Sequence, residues 1–175
     1  MKLNKLQKKI GISFKDDKLL IQALTHKSFD TKNNYEKLEF LGDRVLGFVI
    51  SKKLLELYPN EKVGMIDKKL ANLVNKNKCF EIGKELELDN YILTGNTEKK
   101  KKVNIEKKII SDCCESLIGA IYIDKGFEVS SKFILNYWKN YLNLSDITVI
   151  DSKTRLQEYS LKKFKTLPIY KLISN

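Results

Sequence analysis

The sequence is poor in several residue types, and each scarcity excludes something. Only two of its 175 residues are proline and eight are glycine, which excludes a collagen-like chain or one dominated by Pro/Gly linkers. One histidine and three cysteines leave little material for a zinc site, and Cys79, Cys113 and Cys114 have no zinc-type spacing with His26. They are read as buried thiols of a protein in a reducing cytoplasm. No apolar run approaches the ~20 residues that cross a bilayer. The lysine-rich start has no hydrophobic stretch behind it, so neither a membrane partner nor a secretory signal is expected. A Walker loop and a GxGxxG fingerprint are both missing, and no organic cofactor is expected. Arginine is almost absent as well, represented only by Arg44 and Arg155.

What is present is a core and a large positive charge. Hydrophobic residues make up 42% of the chain and charged residues 31%, a balance that suits one compact domain plus a short appendage. Lysine and arginine exceed aspartate and glutamate by 33 to 22, a formal net charge of +11. Such an excess makes a polyanion the default partner, with RNA, DNA and an anionic membrane all open on charge alone. The abundance of lysine, asparagine and isoleucine also matches the coding habit of an AT-rich genome.

The periodicity is helical almost throughout. Leu3, Leu6 and Ile10 begin one apolar stripe, and Leu19, Leu20, Ala23 and Leu24 form a second, short helix ending near His26. Longer helices are expected over residues 35–58, 66–86, 105–125 and 129–142. The lysine run at 99–102 reads as a loop, either merely solvated or in contact with phosphates. After a linker, a short helix over 152–165 and a strand over 169–173, introduced by Pro168, are expected. Phe133, Tyr137, Trp138 and Tyr141 recur at helical spacing and read as core rather than as a base-stacking surface.

Two of these helices carry acids where a buried helix should have none. Glu36, Glu39 and Asp43 lie at i, i+3 and i+7, within an arc of about 60°. Phe40, Leu46 and Ile50 flank that arc, so the helix is apolar nearly all round and is expected to be buried. Asp112 and Glu115 repeat the arrangement amid Ile109, Ile110, Leu117, Ile118 and Ile121. Gly47 and Gly119 each follow about one turn after the last carboxylate, and small residues there let two helices approach closely. Surface salt bridges to lysine are one reading. The other is a carboxylate cage for a hard divalent cation, Mg²⁺ or Mn²⁺. An acidic cage in a basic chain suits metal-assisted phosphodiester hydrolysis, with lysines on the backbone phosphates.

The segment Glu36-Lys37-Leu38-Glu39-Phe40-Leu41-Gly42-Asp43 closely resembles the signature of the ribonuclease III family. Ala23-Leu24-Thr25-His26-Lys27-Ser28 and the stretch from Asp112 to Tyr122 resemble its upstream motif and its second acidic motif, in the same order. Residues 151–159 and 167–170 resemble the opening helix and first strand of a double-stranded RNA-binding domain. The resemblance implies an all-α endonuclease domain over 1–143, a linker at 144–150 and an incomplete RNA-binding domain at 151–175. It also implies a homodimer acting on double-stranded RNA. The reaction would leave 5′-phosphate and 3′-hydroxyl ends with short 3′ overhangs, in the processing of rRNA precursors and other structured transcripts.

On the same resemblance, Glu39, Asp43, Asp112 and Glu115 would be the metal ligands, Asp43 and Glu115 also catalytic, and Glu36 an accessory acid. Thr154, Gln157 and Glu158 would meet the RNA minor groove, where 2′-hydroxyls are displayed. His26 would be structural, a polar cap near a helix end. The chain departs from the family pattern at Lys37 (usually arginine), Arg44 (usually serine), Val63 (often acidic) and Leu70 (often arginine). These departures bear on secondary RNA or metal contacts, because lysine lacks the planar fork of arginine. They also motivate the alternative of a non-catalytic duplex-RNA-binding or ribosome-associated protein. The tail, with one helix and one strand, is expected to bind RNA weakly, pack on the body or remain disordered.

Overall fold

In the chain's structure, a computed structural model that describes residues 2–95, 105–144 and 152–170, the apolar periodicity resolves into eight α-helices. They are α1 (Lys2–Ile10), α2 (Asp17–Ala23), α3 (Glu36–Leu57), α4 (Val63–Leu73), α5 (Lys76–Glu85), α6 (Lys107–Lys125), α7 (Phe127–Asn143) and α8 (Ser152–Phe164), with a 3₁₀ turn at Leu88–Asn90. The described residues form no strand. The nearest approach to one is an isolated parallel bridge between Thr25 and Leu93. The chain divides into two compact units, Met1–Ser145 and Asp146–Asn175.

In the first unit α6 is the axis. Every residue from Ile110 to Ile121 is buried, as an all-round apolar helix requires. It packs against α2, α3, α5 and α7. Gly126, at φ 81°, stops it and lets α7 turn back. The aromatic stripe of α7 is core, as expected: Phe133 and Trp138 are buried, and Tyr137 and Tyr141 pack against the same cluster. The three cysteines are free and buried.

Four expectations change. The helix expected at 66–86 is two helices, α4 and α5, broken at Asn75. The Asn75 side chain accepts from Lys78 N at 3.1 Å and donates to the carbonyls of Ala71 (3.3 Å) and Asn72 (2.9 Å). One asparagine thereby satisfies orphan groups at the end of one helix and the start of the next. The Trp138 indole N–H takes the Leu73 carbonyl at 2.8 Å and completes that end.

The close approach of α3 and α6 runs through Gly42 and Gly119, not Gly47 and Gly119. A Cβ at Gly42 would fall 2.9 Å from the Gly119 nitrogen and against the Glu115 carbonyl, and one at Gly119 would fall against the Leu38 carbonyl. A Cβ at Gly47 would meet nothing within 4 Å. Gly47 lies five residues after Gly42, and five residues turn a helix by about 140° from the seam.

Nor is α3 buried all round. Phe40 and Phe48 are 65% and 61% exposed, and Leu55 is exposed as well.

The fourth change concerns the tail. Ile169 and Tyr170, the described part of the expected strand, are irregular, and the rest of it lies outside the described residues. The second unit's α8 ends at Phe164, with Lys165 next at φ 60°, and the Ser160 hydroxyl donates to the Thr166 carbonyl at 2.7 Å. The lysine run at 99–102 and most of the linker also lie outside the described residues.

Candidate metal centre

The seam between α3 and α6 brings the two acidic motifs together. Glu39, Asp112 and Glu115 each present a carboxylate oxygen, all within 4.8 Å of one another. Asp112 and Glu115 are only 3% and 2% exposed, and Glu39 is partly buried. Burying carboxylates this close is costly unless a cation stands among them.

In the structure that cation is Lys76, a residue the sequence reading passed over. Its ammonium donates to Asp112 Oδ1 at 2.7 Å, Glu115 Oε2 at 2.8 Å and Glu39 Oε1 at 3.0 Å. Lys76 opens α5, so its reach into the cluster depends on the helix break at Asn75. A second contact holds Asp112 from the other side, where the Tyr35 hydroxyl donates to Oδ2 at 3.4 Å. A signal for Lys76 was present in the sequence: Asn75 is a strong N-cap type, which would have started a helix at this lysine. Tyr35 carries no comparable signal.

The electrostatics follow from burial and the single ammonium. Desolvation raises the pKa of Glu115, and the Lys76 hydrogen bond offsets it only in part. Glu39 is also raised, by burial and by the Asp112 charge, against the lowering effect of Lys76. Burial pulls Lys76 downward, but its bonds to Asp112, Glu115 and Glu39 outweigh this and hold it well above the ordinary lysine value. Tyr35 is pushed up by burial and by the acids around it, so its hydroxyl stays a donor. Among the described residues, one ammonium serves all three carboxyl groups.

The other expected residues lie outside the set that Lys76 bonds. Asp43, one turn beyond Glu39, is paired with Arg44, whose guanidinium also lies 5.0 Å from the centre of the Phe40 ring. Its charge is still felt at Glu115, whose pKa it raises. Glu36 is exposed and paired with Lys27 at 3.2 Å. His26 is tied into a turn, its Nδ1 accepting from Ser28 N at 3.1 Å, with its ring 5.6 Å from that of Tyr35. It makes no contact with the carboxylates among the interactions described. Gln157 lies on α8, and the side chains of Thr154 and Glu158 are outside the described residues.

Three hard oxygen donors converging on one point suit a divalent cation of the Mg²⁺ or Mn²⁺ type, and the pocket already accommodates a cationic group. The residues present therefore fit a metal. Fold and site together define an all-helical domain built around a buried carboxylate cage.

The comparisons place that domain in a family. Residues 16–142 match the family model described as Ribonuclease-III-like. The chain is 63% identical to Ribonuclease 3 of Pelagibacter ubique (strain HTCC1062), over all of this chain and 79% of that protein. It is 43% identical to Ribonuclease 3 of Hahella chejuensis, over 99% of this chain and 77% of that one. The solved nuclease domain of ribonuclease III from Campylobacter jejuni superposes with a TM-score of 0.72 at 37% identity, covering 78% of this chain and 95% of that domain. Dicer from Pichia stipitis, at 19% identity and a TM-score of 0.60, covering 92% of this chain and 74% of its own, shares the fold. The chain belongs to the ribonuclease III family, and it is a ribonuclease, a hydrolase.

Proposed function

We propose that the chain hydrolyses phosphodiester bonds within double-stranded RNA, using Mg²⁺, with Mn²⁺ as a substitute. The observation that carries this reading is the convergence of Glu39, Asp112 and Glu115 at a helix seam in a chain of net charge +11. A bound cation there would supply an activated water and charge for the leaving oxygen. Glu39, Asp43, Asp112 and Glu115 would hold it, and the Tyr35 hydroxyl bonded to Asp112 would help orient that carboxylate. Asp43, more exposed and paired with Arg44, and Glu115 would be the catalytic carboxylates. The lysine excess binds the phosphate backbone. The products are 5′-phosphate and 3′-hydroxyl ends with short 3′ overhangs, and the cellular substrates are rRNA precursors and other structured transcripts in the cytoplasm.

The paired cut needs two active sites. Phe40, Arg44, Phe48 and Leu55 lie within an arc of about 80° on α3, and the three hydrophobic members are exposed. An apolar face of this kind suits a second copy of the chain. The nuclease domain from Campylobacter jejuni is described as having a region involved in dimer formation, and that region is structurally flexible. Residues 151–175 contribute to duplex-RNA binding, with Thr154, Gln157 and Glu158 meeting the minor groove.

The test is cleavage of long duplex RNA with Mg²⁺ by Asp112→Asn and Glu115→Gln. Cleavage should fall by on the order of a hundredfold or more, the loss expected when a metal site is crippled. Undiminished cleavage in both variants overturns the reading.

A further inference from the structure

Lys76 stands in an odd place for a lysine. It is the first residue of α5, where the helix dipole disfavours a cation. It reaches three carboxylates there and bonds to all three within 3.0 Å. Its side chain is nonetheless 51% exposed, whereas those of Asp112 and Glu115 are nearly sealed. The acids are thus fixed by the α3–α6 seam, while the ammonium arrives on a flexible four-carbon stem open to water. A divalent cation held by Glu39, Asp112 and Glu115 would draw on the same three carboxylates that this ammonium occupies. Both cannot take the centre of the cage at once.

We propose that Lys76 is a tethered counter-cation that keeps the carboxylate cage closed before metal arrives and competes with the divalent cation for it. The inference rests on the metal-binding reading of this site and adds the residue that sets how much metal is needed to load it. Without an internal cation, three clustered acids would repel one another and open the seam or take up protons. With Lys76 present the cage is pre-shaped, but loading requires the ammonium to swing out into solvent. That motion needs only side-chain rotation, since the stem is already half exposed. Lys76 therefore acts as a positioning residue for the acids, and its charge raises the divalent concentration at which the enzyme is switched on.

The test is direct titration of the full chain with Mn²⁺ alone, followed by calorimetry and by the spin-resonance signal of the free ion. The variants are Lys76→Met, which keeps the stem and removes the charge, and Lys76→Gln, whose amide still donates to a carboxylate. Both should bind Mn²⁺ more tightly than the unaltered chain, Lys76→Met by on the order of tenfold, the worth of a charge-assisted hydrogen bond or more. In a chelator Lys76→Met should melt at a lower temperature than the unaltered chain, and Mn²⁺ should restore more stability to it. Equal or weaker Mn²⁺ binding in both folded variants overturns the inference while leaving the metal site standing. If the unaltered chain binds Mn²⁺ no better than Asp112→Asn, the metal reading itself falls and this inference with it.

Discussion

Gly42 and Glu115 meet back to back across the α3–α6 seam, with so little room that a Cβ on Gly42 would overlap the Glu115 carbonyl. Glu115 is one of the three acids of the cage. The glycine therefore controls the spacing of the two acidic motifs without touching either carboxylate. Gly42→Ala should destabilise the chain by about 3 kcal/mol, the upper part of the usual cost of overpacking, and should depress cleavage as the helices part. Gly47→Ala, in open space on the same helix, should be neutral or stabilise by up to about 1 kcal/mol through helix propensity. Urea unfolding of the pair, with cleavage assayed alongside, checks both; equal losses would refute the account of the seam.

Burial also sets a pH dependence. Glu115 and Glu39 both have folded pKa values raised above the ordinary glutamate value, by desolvation first. A raised carboxylate binds its proton more tightly in the folded chain than in the unfolded one. Its contribution to stability is fully present below the unfolded value of ~4.3 and is lost as pH rises through the folded pKa. Glu115→Gln stays neutral, so in a chelator it should melt higher than the unaltered chain at pH 7, and the gap should narrow as pH falls through the carboxylate range. Lys76 retains Glu39 and Asp112 as partners in that variant. A gap independent of pH would remove burial of the Glu115 charge as its cause.

The exposed face of α3 gives a prediction about assembly. Phe40→Glu should weaken self-association by tenfold or more, because a buried phenylalanine is worth about 1.5–3 kcal/mol and two copies change at once. Sedimentation equilibrium measures this directly, and circular dichroism should report unchanged helix content. A variant that still associates as tightly would refute the assignment of this face to a second copy.

Trp138 ties α7 to the end of α4 through its indole N–H and the Leu73 carbonyl. Trp138→Phe keeps an aromatic ring but leaves that carbonyl without its donor, at a cost of about 1–3 kcal/mol. Denaturant midpoints should fall accordingly. The helix break at Asn75 sits two residues away, so the site of Lys76 should loosen with it, seen as faster amide exchange at the start of α5.

Much of the fold and most of the site were legible in the chain. Helices α3, α6 and α7 follow from apolar periodicity and glycine or proline punctuation, and their observed limits lie within a residue or two of those expected. Asp112 and Glu115 were legible because a carboxylate inside an unbroken apolar run is anomalous by itself. The break between α4 and α5 was masked, since Leu70, Leu73, Val74 and Ile82 keep a helical rhythm across it and outweigh the N-cap signal of Asn75. Hydrogen bonding at Asn75 shows the interruption. Gly47 was a misplaced expectation for a related reason: spacing from a carboxylate identifies a face, but the contact surface depends on how the partner helix crosses it.

The sequence alone determined the helical class and the family and marked the candidate acids, because side-chain type and period are local properties of the chain. The tertiary structure brought carboxylate oxygens of Glu39, Asp112 and Glu115 within 4.8 Å of one another, with Asp43 paired to Arg44 and Glu36 to Lys27. It also decided that Lys76 completes the cluster across 36 residues of chain. Electrostatic partnership depends on distance in space, and in a folded chain that distance is set by the packing of helices against one another rather than by their order.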